Sequence, residues 1–391
     1  MILPIIFGMV LGILAGLLPG LHPNSLSQLL TYVEMDNFDA AIMIEVSAAV
    51  NTVLSILPAI FLFIPDEQTV LSVLPGQRMV NEGNGLKAVW ISGAAVLLSI
   101  FFMILFLPVS FFLTPFLYQT ISPYIGLVLL TITIVYLFQE KVKEKIVSAF
   151  FIFILSGFLG WTLLSSTVLR EPLFVSFIGL FALSSMIFAV NKTSIPYQIW
   201  IKDQRIKNDL VFIVLVGVLL GGLADLLPAV GSPAQLATFV TPVAAIESSS
   251  FLALTSSISI SHFVNSFVAL NTIDKARIGP TVIIRNLIGK PDLQTTVFFI
   301  LLSLSAIAIS VAILWILTIP LIQFLRKTDL RLLNLGLFLY LAASIIFVDG
   351  LLGLFVAVVA SAIGTLPVLL GVRRTHLMGF LILPTMVFFL V

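Results

Sequence analysis

Ser47 and Asn51 stand four residues apart, and so do Ser261 and Asn265, with Val50 and Val264 preceding the asparagines. Residues at that spacing share one face of a helix. Ser55 extends the first stripe and Ser257 the second. Inside an apolar helix, such hydroxyls and amides either join neighbouring helices or hold an ion. One pair alone reads as helix–helix glue; its repetition gives the ion reading equal weight. Ionisable side chains within apolar stretches are Glu45, Asp225, Glu247, His262 and Asp349. Burying them is costly, so each is a functional candidate. Asp225, three residues before Pro228, could bind a cation or a proton. His262 reads as a satisfied core histidine, Glu247 as a first-turn acid and Asp349 as an interfacial residue beside Gly350.

The elements that must position these groups carry a repeat of their own. Residues 8–19 read GMVLGILAGLLP and residues 217–228 read GVLLGGLADLLP, with Gly8/Gly217, Gly12/Gly221 and Pro19/Pro228 at one offset. Each apolar run stops at its proline and meets a polar corner, Gly20-Leu21-His22-Pro23-Asn24-Ser25 or Ala229-Val230-Gly231-Ser232-Pro233. Proline removes a backbone donor and turns the preceding residue away from helix. The freed amides and carbonyls must find partners or line a wet cavity within a bilayer. A single break reads as a packing kink; two at matching positions point to a transport site. Substrate-binding candidates are therefore Pro19, Gly20, Asn24 and Ser25 in one copy and Pro228, Ser232 and Gln235 in the other. Ser47, Asn51, Ser261, Asn265 and Asp225 are the candidates for a coupling ion. Arg78, in the polar loop 64–78, could grip a carboxylate in bidentate fashion, or simply pair with Asp66 or Glu67.

Composition fixes the broad class. Of 391 residues, 60% are hydrophobic and only 9% charged, too few to wet the surface of a soluble domain of this size. Apolar runs near the length that crosses a bilayer recur at 2–19, 38–64, 88–118, 121–138, 146–165, 172–190, 209–227, 250–270, 293–325, 332–348, 350–371 and 377–391, with short ones at 24–33 and 230–245. The expected fold is all-α: a polytopic integral membrane protein of two inverted repeats, each of about seven segments with broken or re-entrant helices. The repeats are placed at 1–200 and 201–391. The first run, being one copy of the repeat and lacking a basic flank, reads as a retained helix rather than a signal peptide.

Basic clusters at Lys141/Lys143/Lys145, 192–207, Arg326/Lys327/Arg331 and Arg373/Arg374 belong on the cytoplasmic side. The charge-poor connections near 119, 166–171 and 349 belong outside. This map gives the long helices of the two halves opposite directions, although it leaves Arg277, Arg285 and Lys290 outside against the rule. A net charge of +1 argues against nucleic acid as a partner. With no cysteine, three histidines and no clustered ligand spacing, no metal site and no cofactor are expected. No Walker, nucleophile-elbow or HExxH pattern supports an enzyme.

Gly12-xxx-Gly16-xx-Pro19-Gly20-Leu21 with Pro23, the block Leu57-Pro58 through Pro65-Asp66-Glu67, Leu74-Pro75-Gly76-xx-Arg78 and Glu82-Gly83 together form a pattern. It resembles the large membrane subunit of tripartite tricarboxylate transporters, the TctA-like permeases. The Asp-Glu loop and Ala276-Arg277-x-Gly279 are most similar to the archaeal-type branch. The resemblance implies a multi-pass protein of the cell membrane that carries out secondary transport of an organic anion such as citrate, coupled to sodium or protons. It implies a small membrane subunit and a soluble solute-binding protein as partners besides lipid, and it puts Arg277 and Arg78 at the border of the site. A competing reading is a translocase of lipid carriers or amphipathic anions that works without a binding protein.

Overall fold

The computed structural model describes residues 2–18, 35–62, 73–140, 142–189, 194–199, 208–229, 233–238 and 247–390. Every regular element among them is helical. The first half gives α1 (Ile2–Leu17), α2 (Asn37–Leu54), α3 (Ile56–Phe61), α4 (Val73–Asn81), α5 (Gly85–Ile121), α6 (Ile125–Phe138) and α7 (Lys143–Leu164). It closes with α8 (Pro172–Phe177), a π-helical stretch Ile178–Leu183 and α9 (Ser184–Ala189). The second half gives α10 (Asn208–Leu223), α11 (Pro233–Thr238), α12 (Ser248–Ile273), α13 (Gly279–Ile288), α14 (Leu293–Lys327), α15 (Leu330–Leu370) and α16 (Gly379–Leu390). Among the described residues seven helical stretches are long and apolar enough to cross a membrane, and the chain is a multi-pass all-α membrane protein.

Local chemistry sets the ends of these helices. Asp36 caps α2 by accepting from the amides of Phe38 and Asp39, and Asp329 caps α15 by accepting from that of Arg331. The α15 helix is 41 residues long but bends at Gly350, whose φ of 67° suits glycine and few other residues. Its two arms, of about 20 residues each, have spanning length, as expected for segments 332–348 and 350–371. The expected segment 24–33 lies outside the described residues, and of 230–245 only the α11 region is described.

The chain folds as two compact units, one of Met1–Thr120 with Ile195–Lys327, the other of Ile121–Ser194 with Thr328–Val391. The front part of each half builds the first unit and the rear part of each half builds the second. In the first unit the polar-striped helices are the most buried. From Ala40 onward α2 has no exposed residue, and α12 is buried from Leu252 through Leu270 except at Ser259. Serine and asparagine stripes avoid lipid, while Phe101, Phe112 and Phe116 on α5 and Ile316 on α14 remain exposed on apolar outer faces.

Glycine permits the close helix pairs. A Cβ added to Gly8 would lie 2.8 Å from the Met43 carbonyl oxygen, and one on Gly12 would lie 2.6 Å from that of Ser47, so α1 rides directly on the α2 backbone. In the second copy α10 rides on α12: a Cβ on Gly221 would lie 2.5 Å from the Ile258 carbonyl oxygen, and Gly217 meets the Ser257 hydroxyl. This is small-residue packing of membrane helices, repeated. Near the start of α5, Gly93 faces Trp315 toward the end of α14.

The connections that the charge map puts on one side meet one another. In the first unit the amide of Ile199 donates to the Gly83 carbonyl, Gln198 bonds Gly85 and Val80, and Arg326 lies over the Tyr197 ring. In the second unit Arg373 donates through its amide to Glu140 and through its guanidinium to Gln139, and Arg374 reaches Ser185. Elsewhere in that unit Asp349 accepts from the amides of Arg170 and Glu171, both in the charge-poor connections assigned to the outside.

Candidate functional site

The polar stripes of α2 and α12 place their groups in the interior of the first unit. Most hydroxyls turn back onto carbonyls of their own helix, a common solution for serine and threonine in an apolar helix. Ser47 donates to Ile44, Ser55 to Thr52, and Ser257 to Ala253 or Leu254. Ser261 instead donates to the Val218 carbonyl of α10 at 2.6 Å, joining the close pair of helices. Asn265 donates through Nδ2 to the Ser261 carbonyl and hydroxyl.

The two asparagines differ from the serines. Oδ1 of Asn51 and Oδ1 of Asn265 are both buried without a hydrogen-bond partner among the described residues. An orphaned acceptor in a buried site costs about 1–3 kcal/mol, so such groups call for an explanation. The same atom is open at the same repeat position in both copies.

Two cavities border the stripes. One of about 20 Å³, room for about one water, is lined by Thr52, Ser92, Thr255, Ser256 and Ser259, and the Ser92 hydroxyl has no partner among the described residues. The other, of about 80 Å³, is apolar and lies along α5 and α10. Asn265 and Gly222 form part of its lining, and Val109, Leu113, Leu219 and Leu223, all exposed, form another part.

The second corner begins where α10 tightens into a 3₁₀ turn, Ala224–Leu226, before an extended Leu227. Pro228 is buried, and Ala229 has a φ of 65°, in the left-handed region. Ala229 occupies the place of Gly20, so the corner keeps a glycine-like backbone without the glycine. Asp225 is buried at 1% exposure, and neither carboxylate oxygen has a hydrogen-bond partner among the described residues. His262 Nε2 lies 3.4 Å from Asp225 Oδ1, within ion-pairing range but not aligned as a hydrogen bond. Arg277, half-buried, directs Nε at the Asp225 backbone carbonyl, 3.4 Å away.

Of the residues expected from sequence, Asp225, Pro228 and Arg277 are brought to one corner, and Ser261 and Asn265 lie on the helix packed against it. Arg78 is exposed on α4. Pro19, Gly20, Asn24, Ser25 and Ser232 lie outside the described residues, as does the side chain of Gln235. Glu45 is fully buried, with Oε1 accepting from Ser303 and Oε2 without a partner among the described residues. Among those residues no group of three or more His, Cys, Asp or Glu could hold a metal ion.

Comparison with known proteins places this architecture. The family model described as the tripartite tricarboxylate transporter TctA family matches residues 2–379, nearly the whole chain. The chain belongs to that family. It is thus a component of a tricarboxylate transporter, the large membrane subunit of a tripartite system, and it stands with transporter components rather than enzymes. It is also 27% identical to an uncharacterized protein of Methanocaldococcus jannaschii, over all of this chain and 99% of that one. No solved structure matches it.

Within this TctA-family chain, sequence reasoning passed over His262 as a satisfied histidine. One signal was available: with Ser261 aligned on Ser47, His262 occupies the position of Ala48, while Asp225 occupies that of Gly16. The second copy has therefore gained an acid and an imidazole at two positions, and those two side chains meet. Spacing along the chain does not reveal this, because the pair joins separate helices.

Proposed function

We propose that this protein is a secondary transporter of a carboxylate such as citrate, driven by a sodium or proton gradient, with its path along the two striped helices. The observation that carries this reading is the pair of open amide oxygens, Asn51 Oδ1 and Asn265 Oδ1, at one repeat position in both copies. Paired breaks and polar stripes in corresponding halves are what a transporter built from repeats places around its substrate. The inverted arrangement is supported by α5 and α14, since residues 197–199 touch both the start of one and the end of the other. The corners at Pro19-Gly20, Asn24-Ser25, Pro228, Ser232 and Gln235 hold the substrate's anionic groups, with Arg277 and Arg78 bordering them. Asn51, Asn265, their serine neighbours and Asp225 serve the coupling ion. A solute-binding protein delivers the substrate and a small membrane subunit accompanies the permease.

Reconstitution tests this. Proteoliposomes containing the chain and its two partner subunits, given labelled citrate and an inward sodium or proton gradient, are expected to accumulate citrate above its external concentration. Uptake that follows neither gradient would contradict the reading.

The alternative, a translocase of lipid carriers or amphipathic anions, draws support from the 80 Å³ apolar cavity. Its exposed Val109, Leu113, Leu219 and Leu223 lie on the side that meets lipid chains, with Asn265 as its polar end. Uptake of a prenyl phosphate but not of citrate by the same vesicles would favour it.

A further inference from the structure

We infer that Asp225 and His262 form a proton-carrying pair, so that a coupling proton is carried within the C-terminal repeat. This rests on the transport reading above and names its ion. Asp225 is 1% exposed and His262 9%, and their facing atoms lie 3.4 Å apart. Both carboxylate oxygens and Nε2 lack hydrogen-bond partners among the described residues, so no structural bonding occupies them.

A buried single charge is far costlier than a neutral group or a close ion pair. With one proton on board, the pair is either carboxylic acid with neutral imidazole or carboxylate with imidazolium, and both states sum to zero. Without it, a lone carboxylate remains in the interior. Loading or releasing the proton thus changes the charge of a buried pair, a change that a gradient and a moving anionic substrate can offset. The step is plain: an N–H bond on His262 or an O–H bond on Asp225 forms with a proton from one aqueous side. The same bond breaks to the other side, with no other bond changed.

Apart from α10 and α11, the elements packed against α12 carry Asp39 and Glu45 on α2, Arg78 on α4, Arg285 on α13, and Arg326 and Lys327 on α14. Among the described residues, α12 presents His262 to Asp225, and the segment after α12 presents Arg277, whose Nε meets the Asp225 carbonyl. The α11 helix contributes no ionisable residue, and that of α10, Asp209, sits at its far end. Arg277 places a positive charge beside the pair, which an incoming anion meets.

The N-terminal copy cannot do the same. Its equivalent positions are Gly16 and Ala48, and a Cβ added to Gly16 would already lie 2.7 Å from the Leu54 Cβ. The duplicated asparagine oxygens are common to both copies, whereas the acid and imidazole are not. That asymmetry confines the acid–imidazole pair to the C-terminal copy.

Two readouts test the pair. Infrared difference spectra of the purified protein between about pH 5 and about pH 9 are expected to contain a carboxyl band that Asp225→Asn removes and His262→Gln displaces. In sodium-free proteoliposomes, proton-driven net uptake of labelled citrate is expected to fall at least about tenfold in Asp225→Asn. A melting temperature of Asp225→Asn within a few degrees of that of the unchanged protein reports that the variant is folded, with about 4 °C taken as the limit. Absence of the infrared band, or full proton-driven uptake by Asp225→Asn, would overturn the proton pair and leave transport standing. The band without any citrate movement in the unchanged protein would uphold the pair and sink the citrate reading instead.

Discussion

Gly221 of α10 rests against Ser261 of α12: a Cβ added to the glycine would stand 2.6 Å from the Cβ of the serine, and the Ser261 hydroxyl donates to the Val218 carbonyl one turn back. In the other copy Gly12 faces the same stripe one turn further along: an added Cβ would stand 2.6 Å from the Ser47 carbonyl oxygen and 2.6 Å from the Val50 Cβ, and the Ser47 hydroxyl donates within its own helix. The repeated glycines and the repeated serine–asparagine stripes are therefore two sides of one contact. The phrase recurs because each copy must bring a helix backbone close enough to cover a polar stripe.

Filling that contact is expected to separate the helices. Gly221→Leu or Gly12→Leu pushes a side chain into backbone, where overpacking costs about 1–3 kcal/mol or more. The melting temperature of the detergent-solubilised protein should drop by at least roughly 4 °C. Gly336→Ala, at a position with nothing within 4 Å, is the control and should leave it unchanged.

Ala229 should respond in the opposite sense. Its φ of 65° is one that alanine adopts at a cost of roughly 1–2 kcal/mol, and glycine does not bear that cost. Ala229→Gly is expected to raise stability by up to about 1 kcal/mol, the gain being reduced by glycine's greater freedom when unfolded. Ala229→Val should lower it. Chemical unfolding of the three proteins side by side distinguishes them, and a loss of stability in Ala229→Gly would remove the claim of strain.

Asp349 ties the bend in α15 to the segment before α8. Its carboxylate accepts from the amides of Arg170 and Glu171, with Arg170 at 2.5 Å. Hydrogen bonds to a charged acceptor are worth about 1.5–3 kcal/mol, so Asp349→Ala is expected to destabilise by that order. Amide exchange should rise at Arg170 and Glu171 first. Unchanged exchange there would mean that the carboxylate does not hold the connection.

Much of this was legible in the sequence, and for a physical reason. Spans in lipid need long apolar runs, so segments such as 293–325 and the Asp349–Gly350 break declared themselves by length and by a single glycine. The stripes were legible because i,i+4 spacing fixes a face. What stayed hidden lies between helices. That Asp225 meets His262, and that Arg277 reaches the same corner, depends on the rotation of α12 against α10, which local spacing does not encode. The open state of the asparagine oxygens was equally invisible. Sequence gives the donor and acceptor inventory, and only packing decides that most of the serines turn back to carbonyls of their own helix while the Oδ1 atoms of Asn51 and Asn265 stay open.

The most direct measurement is gradient-driven uptake of labelled citrate by proteoliposomes containing the Asn51→Ala, Asn265→Ala double variant, beside the unchanged protein and with the same partner subunits. If the two open oxygens line the transport path, the double variant should insert and melt like the unchanged protein yet lose at least about tenfold in uptake. A folded double variant that accumulates citrate at the unchanged rate would contradict the account.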